Sequence, residues 1–151
     1  MQSSPQGNAI TESYEGDVLH VYLDSVGNPT IGRGHLIVAG EDFSAGITQD
    51  QADALYLQDK AKADNIVNTE CRALIEAGQV SQGEFDALSE ACFNMGDFLK
   101  ASTLLRLLVA GDNAGAEAQL ARWDNAGGKP NAALHARRVA EMALWTAGQN
   151  G

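Results

Sequence analysis

One stretch of this chain constrains everything around it. Between Leu19 and Val38, β-branched and aromatic residues (Val21, Tyr22, Val26, Ile31, Ile37, Val38) are interrupted by turn-formers at Ser25, Gly27, Asn28 and Pro29. That texture specifies a small antiparallel sheet built on a hairpin. After a polar, glycine-bounded loop over 39–46, the period changes to that of helices. Thr48 with Gln51 forms a capping box, followed by an apolar face of Ala52, Leu55, Tyr56, Ala63, Ile66 and Val67, with Asp59 on the same face. Ser81 with Glu84 caps a second helix that buries Phe85, Leu88, Cys92 and Met95. Ser102 opens a helix through Leu108 that ends at Gly111. Two more run from about Asn113 to Trp123 and, past the Gly127-Gly128 break, from about Asn131 to Trp145. Ahead of the sheet, Ala9 to Tyr14 suits a short helix stopped at Gly16, and the polar Met1–Asn8, with Pro5 and Gly7, reads as a loose tail.

The expected class is α+β, mostly helical, and 151 residues fit one domain of two lobes sharing a helix. In that division 1–8 is a flexible tail, 9–47 the first helix and β lobe, 48–68 the interlobe helix and 69–151 the helical lobe. No run of about 18 apolar residues exists to span a membrane. The N-terminus lacks the basic start and apolar stretch of a secretory signal, so the chain is expected to be made in a cytoplasm.

The net charge of −10 argues against nucleic acid and against an anionic membrane surface. Five of the ten basic residues (Arg106, Arg122, Lys129, Arg137, Arg138) lie in the last third, a hint of a basic face. Cys71 and Cys92 are too few for a disulfide framework, and their apolar helical context favours two buried reduced thiols over a bridge. His20, His35 and His135 are too scattered for a spaced metal motif.

Among many carboxylates, position discriminates. Glu15 stands at the end of the first helix, where the negative end of the helix dipole disfavours a second negative charge. A general acid suits that placement, and so does an exposed helix-end glutamate. Asp24 ends a strand at the turn Asp24-Ser25-Val26-Gly27-Asn28, where aspartate ordinarily bonds backbone amides. Thr30 opens the return strand and could hold a water beside Asp24. Gly32 and Gly34 form no phosphate loop, because no helix start with Lys-Ser/Thr follows. They suit close approach of backbone to a ligand, or tight packing.

Read together, these residues resemble the phage-type lysozymes, glycoside hydrolase family 24. Ile10-Thr-Glu-Ser-Tyr-Glu15-Gly16, Tyr22-Leu-Asp24 and Gly27-Asn-Pro-Thr30-Ile-Gly-Arg-Gly34-His35 reproduce that family's Glu-Gly, Asp and T-I-G-x-G-H elements at its spacing. Ala87-Leu88 to Phe93-Asn94-Met95-Gly96, Ser102-Thr103-Leu104-Leu105-Arg106, Trp123 with Ala126-Gly127-Gly128-Lys129, and Arg137-Arg138 with Glu141 extend the similarity from about Ile10 to Trp145. The resemblance implies a two-lobed lysozyme-like fold and a muramidase acting on peptidoglycan glycan strands as a monomeric phage endolysin. The enzyme would reach the wall through a separate membrane pore and need no cofactor or metal. It further implies that Glu15 is the general acid, Asp24 the carboxylate acting on water and Thr30 the positioner of that water, with inversion at the anomeric carbon. Gly34, Leu36 and Phe93 would contact sugar. His35 and Asp59 would form a structural ion pair, and either Arg137 or Arg138 would reach Glu15. A lytic transglycosylase, which needs only the acid, and a tail-associated module that grips or degrades peptidoglycan are the alternatives. Asp24 and Thr30 favour hydrolysis. Arg33 and Ala133 depart from the family's usual residues.

Overall fold

A computed structural model describes residues 1–149. Helix α1 (Pro5–Tyr14) leads into strands β1 (Val18–Leu23), β2 (Pro29–Gly32) and β3 (His35–Leu36). These form one antiparallel sheet in the order β1-β2-β3, with Tyr22 opposite Thr30 and Thr30 opposite Leu36. A bulge between Val18 and Tyr22 bends β1. Then come α2 (Gln49–Glu70), the short α3 (Arg72–Glu76), α4 (Gln82–Met95), α5 (Thr103–Val109) and α6 (Asn113–Leu120). A two-stranded hairpin, β4 (Asn125–Ala126) with β5 (Lys129–Pro130), precedes α7 (Ala132–Gln149).

Both capping boxes form. Thr48 and Gln51 open α2, Ser81 and Glu84 open α4, and each satisfies two backbone amides that a helix start leaves unpaired. Helix α2 touches β2 and β3 on one side and α4 on the other, so it joins the sheet to the helical part. Helix α4 is the centre of the molecule. Gly83 through Cys92 are all buried, and α1, α2 and α7 pack around it. Its Phe85 and Leu88 fill the core together with Leu99, Leu104, Leu120 and Trp145. Cys71 and Cys92 are free and buried there, and burial pushes the Cys71 thiol up to about 11. No helix among the described residues is long and apolar enough to cross a membrane.

The N-terminal segment departs from expectation. Residues 1–8 are not a loose tail: α1 begins at Pro5, and Ser4 caps it by accepting the Gly7 amide at 3.2 Å. Proline at the first helical position has no amide to leave unpaired and a backbone angle preset for a helix. The segment is then tied to distant helices. Ser4 donates its amide to Asp86 at 2.9 Å and its hydroxyl to the same carboxylate. Ser3 bonds Asp64 through both amide and hydroxyl, and the Met1 ammonium donates to Asn68 at 2.6 Å.

Smaller differences lie toward the C-terminus. Helix α6 stops at Leu120 instead of Trp123, and α7 continues past Trp145 to Gln149. The Gly127-Gly128 break is the turn of the β4–β5 hairpin, both glycines holding positive φ. Of the five basic residues that hinted at a basic face, Arg137 and Arg138 are buried, so no such face spans the group.

Candidate active site

Glu15 is the C-cap residue of α1, its backbone already turned to an extended conformation while its amide still bonds Thr11 O. The side chain crosses to the turn between β2 and β3. A Cβ placed on Gly34 would stand 3.0 Å from Glu15 Oε2, so the carboxylate rests on the Gly34 backbone, where φ is +75°. Only glycine combines that angle with so close an approach. Arg137 from α7 donates Nη1 to Glu15 Oε1 at 2.9 Å and lies over the Tyr14 ring. Of the two candidate arginines, Arg137 is therefore the one that meets Glu15. Arg138 instead turns inward, bonding Glu141 at 2.6 Å and Asn94 at 3.0 Å.

Asp24 organises the hairpin turn. Its Oδ1 accepts the amides of Asn28 at 2.8 Å and Val26 at 3.0 Å, while Oδ2 accepts the Asn28 side chain at 3.2 Å. The Asn28 amide foremost, with Val26 and Gly27 adding to it, holds the Asp24 carboxyl below the usual carboxylate range. Thr30 is buried at the start of β2 and gives its hydroxyl proton to Asn28 O at 3.0 Å. That leaves the Thr30 oxygen as an acceptor. Tyr22, facing Thr30 across the sheet, feels both carboxylates: burial, then the charges of Glu15 and Asp24, push its phenol up.

Beside these residues runs a groove of about 300 Å³ between sheet and helices. Gly34, Leu36 and Val38 line it from the sheet side, and Asp59, Ile66 and Phe93 from α2 and α4. The three expected sugar contacts, Gly34, Leu36 and Phe93, thus border one cleft.

His35 is buried at its edge, with Nδ1 2.6 Å from Asp59 and Nε2 3.1 Å from Glu41. Glu41 is a second partner that the sequence did not disclose, supplied by the polar loop. It also accepts the Val38 amide at 2.9 Å, which, followed by the His35 contact, lowers its pKa. Replacing His35 with alanine leaves both carboxylates without their shared partner, and is expected to lower stability by about 2 kcal/mol. Chemical denaturation measures this; a midpoint equal to wild type would deny the triad a structural role. Arg33, at the variable position of its motif, bridges Asp17 and Asp53 at 2.8 Å each and sits over the Tyr56 ring, tying the sheet to α2.

A family model described as phage lysozyme matches residues 12–141. The chain belongs to the phage lysozyme family. An endolysin of Acyrthosiphon pisum secondary endosymbiont phage 1 is 34% identical over 96% of this chain and 98% of its own length. Among solved structures, a mutant of P22 lysozyme superposes with a TM-score of 0.76 at 31% identity, over 97% of this chain and 99% of that one. The active form of the P1 phage endolysin Lyz, at 20% identity, shares the fold with a TM-score of 0.81 over 99% of this chain and 87% of its own. The lysozyme is thus a hydrolase of bacterial peptidoglycan, built on the mixed α+β fold that the sequence led us to expect. Among its described residues no group of His, Cys, Asp and Glu is placed to hold a metal ion.

Sequence reasoning missed one other feature near Glu15. Lys60 and Glu90 are both buried and paired with each other. A signal for Lys60 existed: it falls four residues after Tyr56 and three before Ala63, on the buried stripe of α2, while Asp59 lies at the stripe's edge.

Proposed function

We propose that this lysozyme is a muramidase that cleaves the β-1,4 bond between N-acetylmuramic acid and N-acetylglucosamine with inversion, serving as a monomeric phage endolysin. Glu15 is the general acid, Asp24 the general base and Thr30 the residue that orients the attacking water. The observation that carries the proposal is the placement of two carboxylates from different elements around Tyr22, one held by Arg137 and one by backbone amides. Glu15 sits on the groove-lining Gly34, whereas Asp24 is fixed on the hairpin by amides that favour its charged form.

The chemistry follows from these bonds. An inverting hydrolase needs an acid to protonate the leaving oxygen and a base to activate water on the opposite face of the sugar. Asp24 Oδ1 is occupied by two amides, so Oδ2, with one contact, is the oxygen left to take a proton from water. Thr30, its own proton committed to Asn28 O, can only accept the water's other hydrogen. A water donating to both turns its lone pair toward the anomeric carbon. Glu15 gives its proton to the departing oxygen, and Arg137 steadies the carboxylate that results. Gly34, Leu36 and Phe93 hold the glycan in the groove.

Digestion of purified peptidoglycan tests this directly. Mass spectrometry should find reducing muramic acid ends, and NMR of the first product should find the α anomer. Anhydro-muramic ends would identify a lytic transglycosylase instead, and a β anomer would reject inversion.

The base must be ionised, so activity falls as pH drops through the depressed Asp24 value. Asn28→Ala removes the side-chain donor and should raise the acid limb of the pH–activity profile by about half a unit. An unmoved limb would argue that another group sets it.

A further inference from the structure

Beneath Glu15 lies a chain of buried charges that the cleavage chemistry above does not use. Lys60 of α2, Glu90 of α4 and Thr11 of α1 meet where three helices cross, all nearly closed to solvent. Lys60 Nζ donates to Glu90 Oε1 and, at 3.1 Å, to Ser89 Oγ; the Thr11 hydroxyl donates to Glu90 Oε2. That same Oε2 lies 4.0 Å from Nη2 of Arg137, whose Nη1 holds Glu15. Arg137 Nε stands 3.9 Å from Glu141. Neither Nε nor Nη2 of Arg137 has a hydrogen-bond partner among the described residues. The guanidinium thus faces three carboxylates, Glu15, Glu90 and Glu141, and is hydrogen-bonded only to Glu15. Burying an ion pair adds little net stability over an apolar pair, so stability is a poor account of Lys60–Glu90.

We infer that the buried Lys60–Glu90 pair is a positioning device for the acid: Glu90 is a second seat for Arg137, and Lys60 sets how strongly Glu90 competes with Glu15 for that guanidinium. The inference rests on Glu15 being the general acid. While Glu15 is protonated, its hold on Arg137 weakens and Nη2 closes on Glu90. Once Glu15 has given up its proton, Arg137 returns to it. Lys60 and Thr11 occupy Glu90 enough to keep that return favourable.

The groups facing this centre come from every element around it. Helix α1 contributes Thr11 and Tyr14, and β1 contributes Tyr22. Helix α2 contributes Lys60 and Tyr56, whose phenol burial, followed by the charges of Glu90 and Glu12, pushes up to about 12. Helix α4 contributes Glu90. Helix α7 contributes Arg138 and Glu141, and burial raises the Glu141 carboxyl to about 7 against the pull of Arg138 and Arg137. With Glu141 ionised, three cations (Lys60, Arg137, Arg138) stand against Glu90 and Glu141. Ionisation of Glu15 then sets a third carboxylate against these three cations, with Asp64 of α2 joined to the network through Ser89. Altering one end of the Lys60–Glu90 pair shifts that balance in a known direction.

The test is the alkaline limb of the pH–activity profile on purified peptidoglycan, where activity disappears as the acid loses its proton. Circular dichroism identifies the folded variants. Glu90→Gln removes the second seat, leaving Arg137 between Glu15 and the unchanged Glu141, and is expected to move the limb to lower pH by roughly one unit. Lys60→Met frees Glu90 to draw Arg137 away and is expected to move it to higher pH by a similar amount. The double variant should lie between them. Thr11→Val removes no charge but frees Glu90 Oε2 for Arg137, and should raise the limb by several tenths of a unit. Opposite shifts from the two ends of one ion pair are not a result that lost packing can give. Limbs that stay put, or move the same way in both single variants, overturn the inference. If neither charge variant folds, an unmoved limb in Thr11→Val overturns it alone. Should Glu15→Gln remain active, the acid assignment has failed, whatever these limbs do.

Discussion

Glu15→Gln is expected to reduce peptidoglycan clearing by about 10³-fold, inside the range that general acids contribute, while the protein stays folded. The amide has nearly the same shape as the carboxyl group. Its oxygen can still accept from Arg137, and it still rests on Gly34. What it lacks is a proton to give the leaving oxygen. Binding of glycan in the groove should persist, because Gly34, Leu36 and Phe93 are untouched. The loss should therefore appear in kcat, with KM changed little. A turbidity assay on permeabilised Gram-negative cells, with initial rates on purified sacculi, separates the outcomes. Clearing within threefold of wild type would remove Glu15 from the acid role and the proposed mechanism with it.

The features legible in the sequence were those whose causes lie close together in the chain. The Asp24–Asn28 turn is fixed by bonds spanning at most four residues, and each capping box by bonds spanning three. The N-terminal segment was misread because what orders it lies on other elements: Asp64, Asn68 and Asp86 sit more than sixty residues away. Proline and glycine there looked like breakers, yet Pro5 starts the helix and Gly7 lets α1 approach Asp86. The same division runs through the site. Each of Glu15, Asp24 and Thr30 had an ordinary local reading, and only the resemblance to the phage-type lysozymes joined them as one constellation. Spacing could not decide between Arg137 and Arg138, since adjacent residues on a helix differ by about 100° in direction and only the packing of α7 on α4 and α1 sets which faces Glu15. Lys60 and Glu90 escaped notice for a further reason. Lys60 shows its burial only by its place on the stripe of α2, and the partner that makes the burial tolerable is thirty residues distant.

The crossing of α4 and α7 gives the largest expected effect on stability. Gly83 lies near the start of α4 against the last turns of α7. A Cβ there would fall 2.2 Å from the Leu144 carbonyl oxygen and 2.7 Å from Gly148 Cα. Gly148 reciprocates, its own Cβ position lying 2.6 Å from Gly83 Cα. These obstacles are backbone, so no flexible side-chain tip can swing aside. In an exposed helix, glycine to alanine gains up to about 1 kcal/mol. Here the sign reverses: either α4 shifts, disturbing the ten consecutive buried residues it carries, or the end of α7 lifts from it. Gly83→Ala is expected to cost about 3 kcal/mol, near the upper end for overpacking, and to lower Tm by roughly 6–12 °C for a chain of this size. Gly16→Ala is the control, because a Cβ there meets nothing within 4 Å. Calorimetry of both variants decides. If Gly83→Ala melted within a degree of wild type, the helices could not cross as closely as these contacts require.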